Sequence, residues 1–348
     1  MATLTYTAYV TRNAIKYGAV GLGVFTVLWI SISAGIAAWK IAHPVVIPPD
    51  LKYGILPKTV FPEKEFVKKS FTQQFPNDNY PKFDTQARTY FIARSISTFL
   101  ALEEDKKTAS QLGFNAEPKE LTPGKGVYEF RNDIYNQTLT MNIADGSFKL
   151  KYPYETDQLL LNPTSIPNKT EAIDAAKQYL SSADKYPKDL DDGEKKVSFW
   201  KIELDGLKAV NSQSGGNAVR VDFYRSNLDG GFPMVSSEYN GAPVSVLISG
   251  SQTEGKKIIE VNYKYAPVDR QSFATYPIKT AEAAWDDLMS GNYWPINDVS
   301  GSSIIIRKMY LAYFEPVVLT NYLQPVYVFE GDNNFIAYVP AIVDKYVK

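Results

Sequence analysis

The sequence predicts an α+β protein in which one N-terminal transmembrane helix precedes two or three units, each an amphipathic helix packed on an antiparallel sheet. Three observations support this fold class. No charged residue lies between Lys16 and Lys40. Aromatic residues make up 14% of the chain, which is typical of sheet-rich proteins. Helical periodicity followed by several strand patterns occurs three times after the apolar segment.

The composition excludes several classes of function. The chain of 348 residues has a formal net charge of −1 and lacks the basic patch that nucleic-acid binding requires. It contains no cysteine, so it forms neither disulfides nor thiolate metal sites. Its single histidine, His43, excludes a multi-histidine metal site and a Ser-His-Asp triad in the folded region. We therefore expect no enzymatic activity, no catalytic residue, no metal and no cofactor.

Residues 17–39 form the predicted transmembrane helix. At 1.5 Å per residue this segment spans roughly 34 Å, enough to cross a hydrocarbon core of about 30 Å. Tyr17 and Trp39 stand at its ends, where aromatic residues meet the lipid headgroups. Residues 1–16 are then a cytoplasmic tail too short to fold. The sequence thus predicts a single-pass protein of the cytoplasmic membrane, with the N-terminus inside and the C-terminal domain extracytoplasmic.

Small residues in this helix allow two further interpretations. Gly35, Ala37 and Ala38 fit a signal-peptide cleavage site, although the apolar run is longer than a typical signal sequence. Ser31, Ala34, Gly35 and Ala38 have the four-residue spacing that lets two helices approach closely, so a helix–helix partner is a second possibility. Gly and Ala are also simply common in membrane helices.

Residues 40–83 read as a semi-rigid stalk, because repeated proline favours extended chain over helix. The stalk prolines are Pro44, Pro48, Pro49, Pro57 and Pro62. Apolar residues between them indicate that part of the stalk docks on the folded domain. These are Leu51, Tyr53, Ile55, Val60 and Phe61.

The first predicted α+β unit spans residues 84–165. Apolar residues at helical spacing predict a helix over 84–105. Strand patterns follow at 126–131, 139–143 and 148–152, the last two joined by an Asp-Gly turn.

The second predicted unit spans residues 166–270. Asn168 and Glu171 form a capping-box pattern at the start of a helix. Predicted strands follow at 197–210, 217–225, 243–250 and 256–268. The Gly-rich segments 212–217 and 228–232 lack the Lys-Ser/Thr of a phosphate loop and are predicted to be turns.

The third predicted unit spans residues 271–348. Thr280 is the expected N-cap of its helix and Gly291 the expected C-cap, and the helix is expected to pack through Trp285 on the hairpin around Tyr327 and Tyr338. Strands are predicted at 304–317, 323–332 and 335–344, with residues 331–334 as a hairpin turn between the last two.

A family resemblance is clearest over residues 276–342. The stretches YPIKTAEAAWDDLMSG, MYLAYFEP and LQPVYVFEGDNNFIAYVPAI resemble the terminal domain of Yyc-type membrane-anchored regulators and, more broadly, the PepSY-like domains of extracytoplasmic bacterial proteins. The segment from TEAIDAAKQYL through VRVDFYR is similar to a PepSY helix and sheet. The resemblance implies anchored proteins that bind or inhibit partners such as sensor kinases and proteases. It carries over no catalytic residue.

Aromatic residues in the third unit are the candidate interaction surface. On a strand, Tyr310 and Phe314 face one way and Tyr313 the other, so both faces of the sheet are apolar. Either a second layer of the same chain covers the spare face, or that face binds a partner. The predicted surface residues are Tyr310, Tyr313, Phe314 and Tyr327.

Acidic clusters are the remaining candidates for chemistry. They occur at Glu103-Glu104-Asp105, Asp191-Asp192 and Asp286-Asp287. Neighbouring residues point in different directions on a helix or a strand, so these pairs are poor acid/base dyads and are expected to be solvated surface.

The function we predict from the sequence is binding. The chain is expected to be a membrane-anchored extracytoplasmic regulatory or scaffolding protein that acts through protein–protein contacts. The alternative is a structural subunit of a cell-envelope assembly, such as a pilus, secretion or surface-layer complex. Expected partners are the lipid bilayer, through residues 17–39, and another envelope or membrane protein; nucleic acid is not expected.

Overall fold

A computed structural model describes residues 4–42, 48–76, 79–92, 99–162, 165–229, 231–237, 241–297, 299–315 and 320–348. The chain divides into an N-terminal unit, Met1–Pro48, and a folded unit, Pro49–Lys348. The described helices are α1 (Leu4–Ala42), α2 (Phe99–Gln111), α3 (Gln158–Leu161), α4 (Lys169–Ser182), α5 (Lys188–Asp191) and α6 (Ala281–Ser290). The first nine described strands are β1 (Ser70–Gln73), β2 (Gln86–Ile92), β3 (Lys119–Glu120), β4 (Val127–Asn132), β5 (Gln137–Asn142), β6 (Ser147–Lys151), β7 (Lys195–Glu203), β8 (Gly206–Val210) and β9 (Ala218–Phe223). The remaining strands are β10 (Met234–Val235), β11 (Val244–Ser249), β12 (Ile258–Tyr263), β13 (Val268–Pro277), β14 (Trp294–Pro295), β15 (Ser303–Phe314), β16 (Tyr322–Gly331) and β17 (Ile336–Pro340).

The N-terminal unit consists of helix α1, which contains the apolar segment predicted at 17–39. Among the described helices, only α1 is long and apolar enough to cross a membrane, and none of its apolar stretch Tyr6–Trp39 is buried. Helix α1 already begins at Leu4 and therefore includes most of the segment predicted as the tail, residues 1–16. Residues 4–16 contain neither Gly nor Pro, and extending an existing helix is much easier than starting one.

One nine-stranded antiparallel sheet contains strands from both the first and the second predicted units. Its order is β3-β4-β5-β6-β12-β11-β9-β7-β8. The two halves join where β6 pairs with β12, for example Leu150 with Val261. Sheet boundaries therefore do not follow the predicted boundary at residue 165. How many independently folding units the chain holds stays a prediction.

The central strands of this sheet are covered on both faces. Every residue of β11 is buried. On one face, α4 packs through Ala172, Ala176 and Leu180, which share a core with Val246. The predicted capping box is confirmed, since the Asn168 side chain accepts from the backbone N–H of Glu171 while Glu171 accepts from that of Asn168. The opposite face is covered by the segment that carries α3.

An eight-stranded mixed sheet contains the third predicted unit together with strands from distant segments. Its central ladder is β15-β16-β17, closed by β14 at one edge. Strands β1 and β10 both run parallel to β15, one near each of its ends. Strand β2 pairs with β16 and with β13. In sequence, the strands of this sheet therefore come from before, between and after the strands of the nine-stranded sheet.

The helix predicted over 84–105 is wrong in its first part, where the structure has strand β2. Residues Thr89, Tyr90, Phe91 and Ile92 are β-branched or aromatic and pack well on a pleated surface. Pairing with β13 and β16 decides between the two structures, because it buries Thr89 and Tyr90 almost completely. Residues 93–98 of the predicted helix lie outside the described residues, and α2 covers only its last part.

The segment predicted as a stalk docks on the folded unit, as its apolar residues suggested. Leu56 is 1% exposed and forms a parallel bridge with Val347 near the C-terminus. Phe61 stacks on Trp294 with ring centres 5.6 Å apart. Ile55 and Val60 are exposed. The described residues 48–69 contain no helix, as their prolines require, and the segment ends in strand β1.

Helix α6 covers one face of the eight-stranded sheet. The Thr280 side chain accepts from the backbone N–H of Ala283, and Gly291 has a φ of 85°, so both predicted caps are confirmed. Trp285 is 9% exposed, and its ring centre lies 6.2 Å from that of Phe329. Tyr338, which we also predicted to lie under this helix, belongs to the core on the opposite face of the sheet.

Candidate functional site

Three of the four predicted surface residues are inside the folded unit. Tyr313, Phe314 and Tyr327 are 1%, 2% and 0% exposed, so their prediction as an interaction surface is wrong. Tyr310 is only partly buried. The physical reason is that further segments of the same chain cover both faces of the sheet, which is the other possibility that the alternating aromatic residues allowed.

Tyr313 is covered by the connection between β9 and β11. In this connection Asp229 has a φ of 49°, within the tight turn that Leu228 and Phe232 close. The Tyr313 hydroxyl donates to Asp229 Oδ2 at 2.6 Å, and Arg88 Nη1 donates to Asp229 Oδ1 at 2.7 Å. The Tyr90 hydroxyl also donates to Oδ1. Burial, with the neighbouring Asp229 carboxylate, raises the pKa of Tyr90 to about 12.

Phe314 and Tyr327 are buried on opposite sides of the same sheet. Phe314 packs edge-on against Phe61 of the segment predicted as a stalk, with ring centres 4.8 Å apart. Tyr327 contacts Phe83 at 5.1 Å between ring centres and donates its hydroxyl to the carbonyl of Lys279 at 2.5 Å. Both side chains therefore stabilise the core and are inaccessible to a partner in this structure.

Tyr310 lies in a cleft between the two sheets. This inter-sheet cleft has a volume of about 590 Å³. Its floor is one face of the eight-stranded sheet, where Tyr310 and Ile336 are partly exposed and Val328 and Tyr338 are buried beside them. Its wall consists of the ends of β7 and β9 and the connection that carries β10; the wall residues with charged or hydroxyl side chains are Asp192, Glu194, Lys196, Tyr224, Arg225, Ser226 and Ser236.

The cleft combines an apolar floor with fixed polar groups. The Tyr310 hydroxyl donates to Glu330 Oε1 at 2.8 Å, and the Tyr338 hydroxyl donates to the carbonyl of Ser236 at 3.0 Å. Burial raises the pKa of Tyr310, and the hydrogen bond to the Glu330 carboxylate raises it further. Both hydroxyls thus stay protonated at neutral pH. Such a surface is suited to an amphipathic segment of another chain.

The wall of the cleft is held in place by a buried arginine. Arg225, 6% exposed, donates from Nη2 to Glu315 Oε1 at 2.8 Å and from Nη1 to Asp189 Oδ2 at 3.3 Å. The Tyr265 ring lies 3.9 Å from the guanidinium carbon and donates its hydroxyl to Asp189 Oδ1 at 2.7 Å. This cluster ties the end of β9 to Glu315, directly after β15. The relative position of the two sheets at the cleft therefore depends on paired charges.

A second cavity, of about 600 Å³, lies between the segment predicted as a stalk and the C-terminal end of helix α6. Phe61, Phe66 and Trp294 contribute apolar walls. Lys279 lies at this cavity with ion pairs of 2.7 Å to Asp287 and 2.8 Å to Asp344. Because Lys279 is already neutralised by two carboxylates, it offers little unpaired charge to a ligand.

Several residues of the acidic clusters form ion pairs, and one is buried. Asp191 and Asp192 pair with Lys177 and Lys188, at 2.7 Å and 2.8 Å. Asp287 pairs with Lys279. Asp105 departs from the expected solvated surface, since it is only 6% exposed. Within the described ranges, no group of three or more His, Asp or Glu side chains is placed to hold a metal ion.

Two important residues were not predicted from the sequence. Arg225 sits at the end of a predicted strand, and its only sequence signal is a charge directly after two aromatic residues. Asp105 belongs to an acidic run, and its signal is the spacing of four residues from the buried Ala101 on the same helix. Neither signal distinguishes a buried charge from an exposed one without the tertiary structure.

Comparison with protein-family models and with curated proteins gives no match. Among solved structures, the chain is similar to an uncharacterized protein from Eubacterium rectale, with 10% identity and a TM-score of 0.41, over 77% of this chain and 86% of that one. It is also similar to the Bacillus megaterium YpeB C-terminal domain, with 13% identity and a TM-score of 0.30, over 72% of this chain and 95% of that one. Both TM-scores are below 0.5, so neither likeness carries a conclusion about this chain.

Proposed function

We propose that this chain is a membrane-anchored extracytoplasmic regulatory or scaffolding protein that binds another envelope or membrane protein through the inter-sheet cleft. The observation that carries the proposal is the cleft itself, an aromatic and aliphatic floor beside a polar wall. Interfaces of this kind use Tyr side chains as anchors and polar groups at the rim. Tyr310, partly accessible, is the anchor that we propose.

The proposed location rests on helix α1. Its apolar stretch Tyr6–Trp39 is long enough for a bilayer, and none of it is buried. A core helix of a soluble protein buries one face, so this exposure favours a lipid environment. We propose that α1 is a retained anchor with its N-terminus in the cytoplasm. Close packing of α1 with another helix through Ser31, Ala34, Gly35 and Ala38 is part of the proposal.

The PepSY-like character of the folded unit is also a proposal. It is supported by the confirmed helix caps at Thr280 and Gly291 and by the β15-β16-β17 ladder beneath helix α6, which are the elements of the stretch that carries the resemblance. The resemblance favours regulation of a partner over chemistry on a substrate.

The alternative function, a structural subunit of an envelope assembly, has one observation in its favour. Strand β8 is the last strand of the nine-stranded sheet and pairs only with β7 among the described strands. Its residues are partly or fully exposed. An open sheet edge can add a strand from a neighbouring subunit.

Site-specific photocrosslinking separates the two functions. We would place the photoreactive residue benzoylphenylalanine at Ile336, on the cleft floor, in the full chain in its native membrane. The matched control places it at Leu204, which is 75% exposed in the β7–β8 turn. The proposal predicts one or two discrete adducts from position 336 and none of these from position 204. A series of crosslinked bands that differ by one copy of the same protein supports the structural alternative. The absence of any adduct specific to position 336 contradicts binding through the cleft.

A further inference from the structure

Helix α2 has an unusual buried face. Its buried residues Ala101, Asp105, Thr108 and Ala109 follow helical spacing, so one stripe of the helix faces the protein. Three of these residues are small or apolar enough for a helix–sheet contact. The fourth is a carboxylic acid, and it lies in the middle of the stripe with 6% exposure. A buried acid at this position opposes docking of the helix whenever it is charged.

The surface beneath α2 is the apolar side of the nine-stranded sheet. Ala109 and the following Phe114 share a core with Leu139 and Met141 of β5. Just after the helix, the Asn132 side chain donates to the carbonyl of Gly113 at 2.9 Å, which fixes the chain against β4. The C-terminal end of α2 is therefore tethered, whereas contact along the helix depends on the buried stripe.

Asp105 is poorly compensated in this position. One carboxylate oxygen, Oδ2, is buried and has no hydrogen-bond partner among the described residues. The charged groups that act on it are Lys185, which attracts, and Asp145 and Glu104, which repel. Lys185 follows helix α4, Asp145 lies in the β5–β6 turn, and Glu104 belongs to α2 itself. Two acids thus oppose one cation around a buried carboxylate.

We infer that helix α2 is a proton-controlled element, held on the sheet when Asp105 carries a proton and released more often when the carboxyl is ionised. Release uncovers apolar side chains of the nine-stranded sheet, such as Leu139 and Met141. The inference is independent of the proposed function, because it concerns a surface away from the inter-sheet cleft.

The direction and size of the effect follow from proton linkage. Burial raises the pKa of Asp105 from 3.8 to about 6, with Asp145 and Glu104 adding to the increase. A released, solvated Asp105 has its ordinary pKa. The docked form is therefore favoured as pH falls through about 6, and the ratio of released to docked helix increases about tenfold between pH 5 and pH 7.5.

Hydrogen exchange measures this ratio directly. We would follow amide exchange by mass spectrometry in the full chain in detergent, at pH 5 and pH 7.5, with times corrected for intrinsic exchange. Protection of peptides from α2 should fall about tenfold at the higher pH, while protection of α4 peptides stays constant. Equal protection of α2 at both pH values overturns the inference. An equal loss in α2 and α4 also overturns it, since it indicates global unfolding.

Variants at two acids complete the test. Asp105→Asn should remove the pH dependence of α2 protection, and Asp105→Leu should keep the helix protected at both pH values if the Asn variant is too unstable to measure. The matched control is Asp222→Asn, because burial also raises the pKa of Asp222, which pairs with Arg220 on β9. This control should keep the wild-type behaviour of α2. Persistence of the tenfold change in Asp105→Asn, or its loss in the control alone, overturns the inference.

Discussion

Replacement of Trp285 by Ala tests how helix α6 is attached to the eight-stranded sheet. The Trp285 ring fills the space between three other aromatic rings. Its centre lies 5.9 Å from Phe75, 6.4 Å from Tyr80 and 6.2 Å from Phe329. Phe75 and Tyr80 lie between β1 and β2, and Phe329 comes from β16. The side chain therefore joins three parts of the chain at one point.

The expected loss of stability follows from the buried area. Trp285 is 9% exposed. A buried Trp removes about 150–250 Å² from water, worth roughly 4–6 kcal/mol at about 25 cal/mol per Å², and Ala recovers only a small part of it. Measured costs of buried Trp or Phe to Ala changes are about 3–5 kcal/mol. We expect Trp285→Ala to lower the free energy of unfolding of the folded unit by this amount.

Urea unfolding of the full chain in detergent, followed by far-UV circular dichroism, measures the change. Met289→Ala is the matched control, because Met289 lies on the same helix and is 50% exposed. It should cost less than about 1 kcal/mol. Trp285→Phe should cost less than Trp285→Ala, because it keeps part of the ring contact. If Trp285→Ala and Met289→Ala unfold at the same urea concentration, the packing of α6 on the sheet through Trp285 is refuted.

Four further changes follow from the same structure. Arg225→Leu leaves the partly buried Asp189 and Glu315 without their cation and should lower the free energy of unfolding by about 3–5 kcal/mol, measured in urea; an unchanged midpoint contradicts the role of this cluster. Gly193→Ala places a Cβ 1.8 Å from the Tyr224 carbonyl oxygen and should lower the free energy of unfolding by about 1–3 kcal/mol, measured in urea. Gly124→Ala is the comparison: Gly124 lies in open space with a φ of 72°, so this substitution measures backbone strain alone. Asn168→Ala removes the capping box of α4 and should cost about 1 kcal/mol, whereas Asn168→Asp should restore most of it. Asp105→Asn should raise the thermal midpoint more at pH 7.5 than at pH 5. An acid whose pKa is raised on folding destabilises the folded state as pH rises through that pKa, and Asn removes this effect. Equal increases of the midpoint at the two pH values contradict the prediction.

The parts of the fold that local sequence determines were predicted correctly. The caps of α4 and α6 depend on residues such as Asn168 and Gly291, whose side chains or backbone freedom act within one helical turn. The strands around the Gly-rich turns were predicted in part, because alternation and turn residues are local signals; the segment 197–210, predicted as one strand, forms the antiparallel pair β7 and β8. The main error was to predict a helix where the structure has strand β2. The conformation of Thr89 is set by pairing with Ala274, far along the chain, which no local pattern contains.

The candidate site was predicted only in part, for the same reason. The apolar character of Tyr310 and Tyr313 is visible in the sequence, but which of them is covered depends on the β9–β11 connection. That connection reaches the eight-stranded sheet because Asp229 accepts hydrogen bonds from Tyr90 and Tyr313. Burial of Asp105 likewise depends on where α2 lies on the sheet. Contacts between distant segments decide each of these outcomes.

The proposed topology underlies the functional account, and cysteine labelling in intact cells tests it most directly. The chain contains no cysteine, so each introduced thiol reports on one position. Leu204→Cys places a thiol on the folded unit, and Ala8→Cys places one before the predicted transmembrane segment 17–39. In intact bacterial cells expressing the full chain, a membrane-impermeant maleimide should label position 204 at once and position 8 only after permeabilisation. Protection of position 204 until the membrane is opened would contradict an extracytoplasmic binding protein.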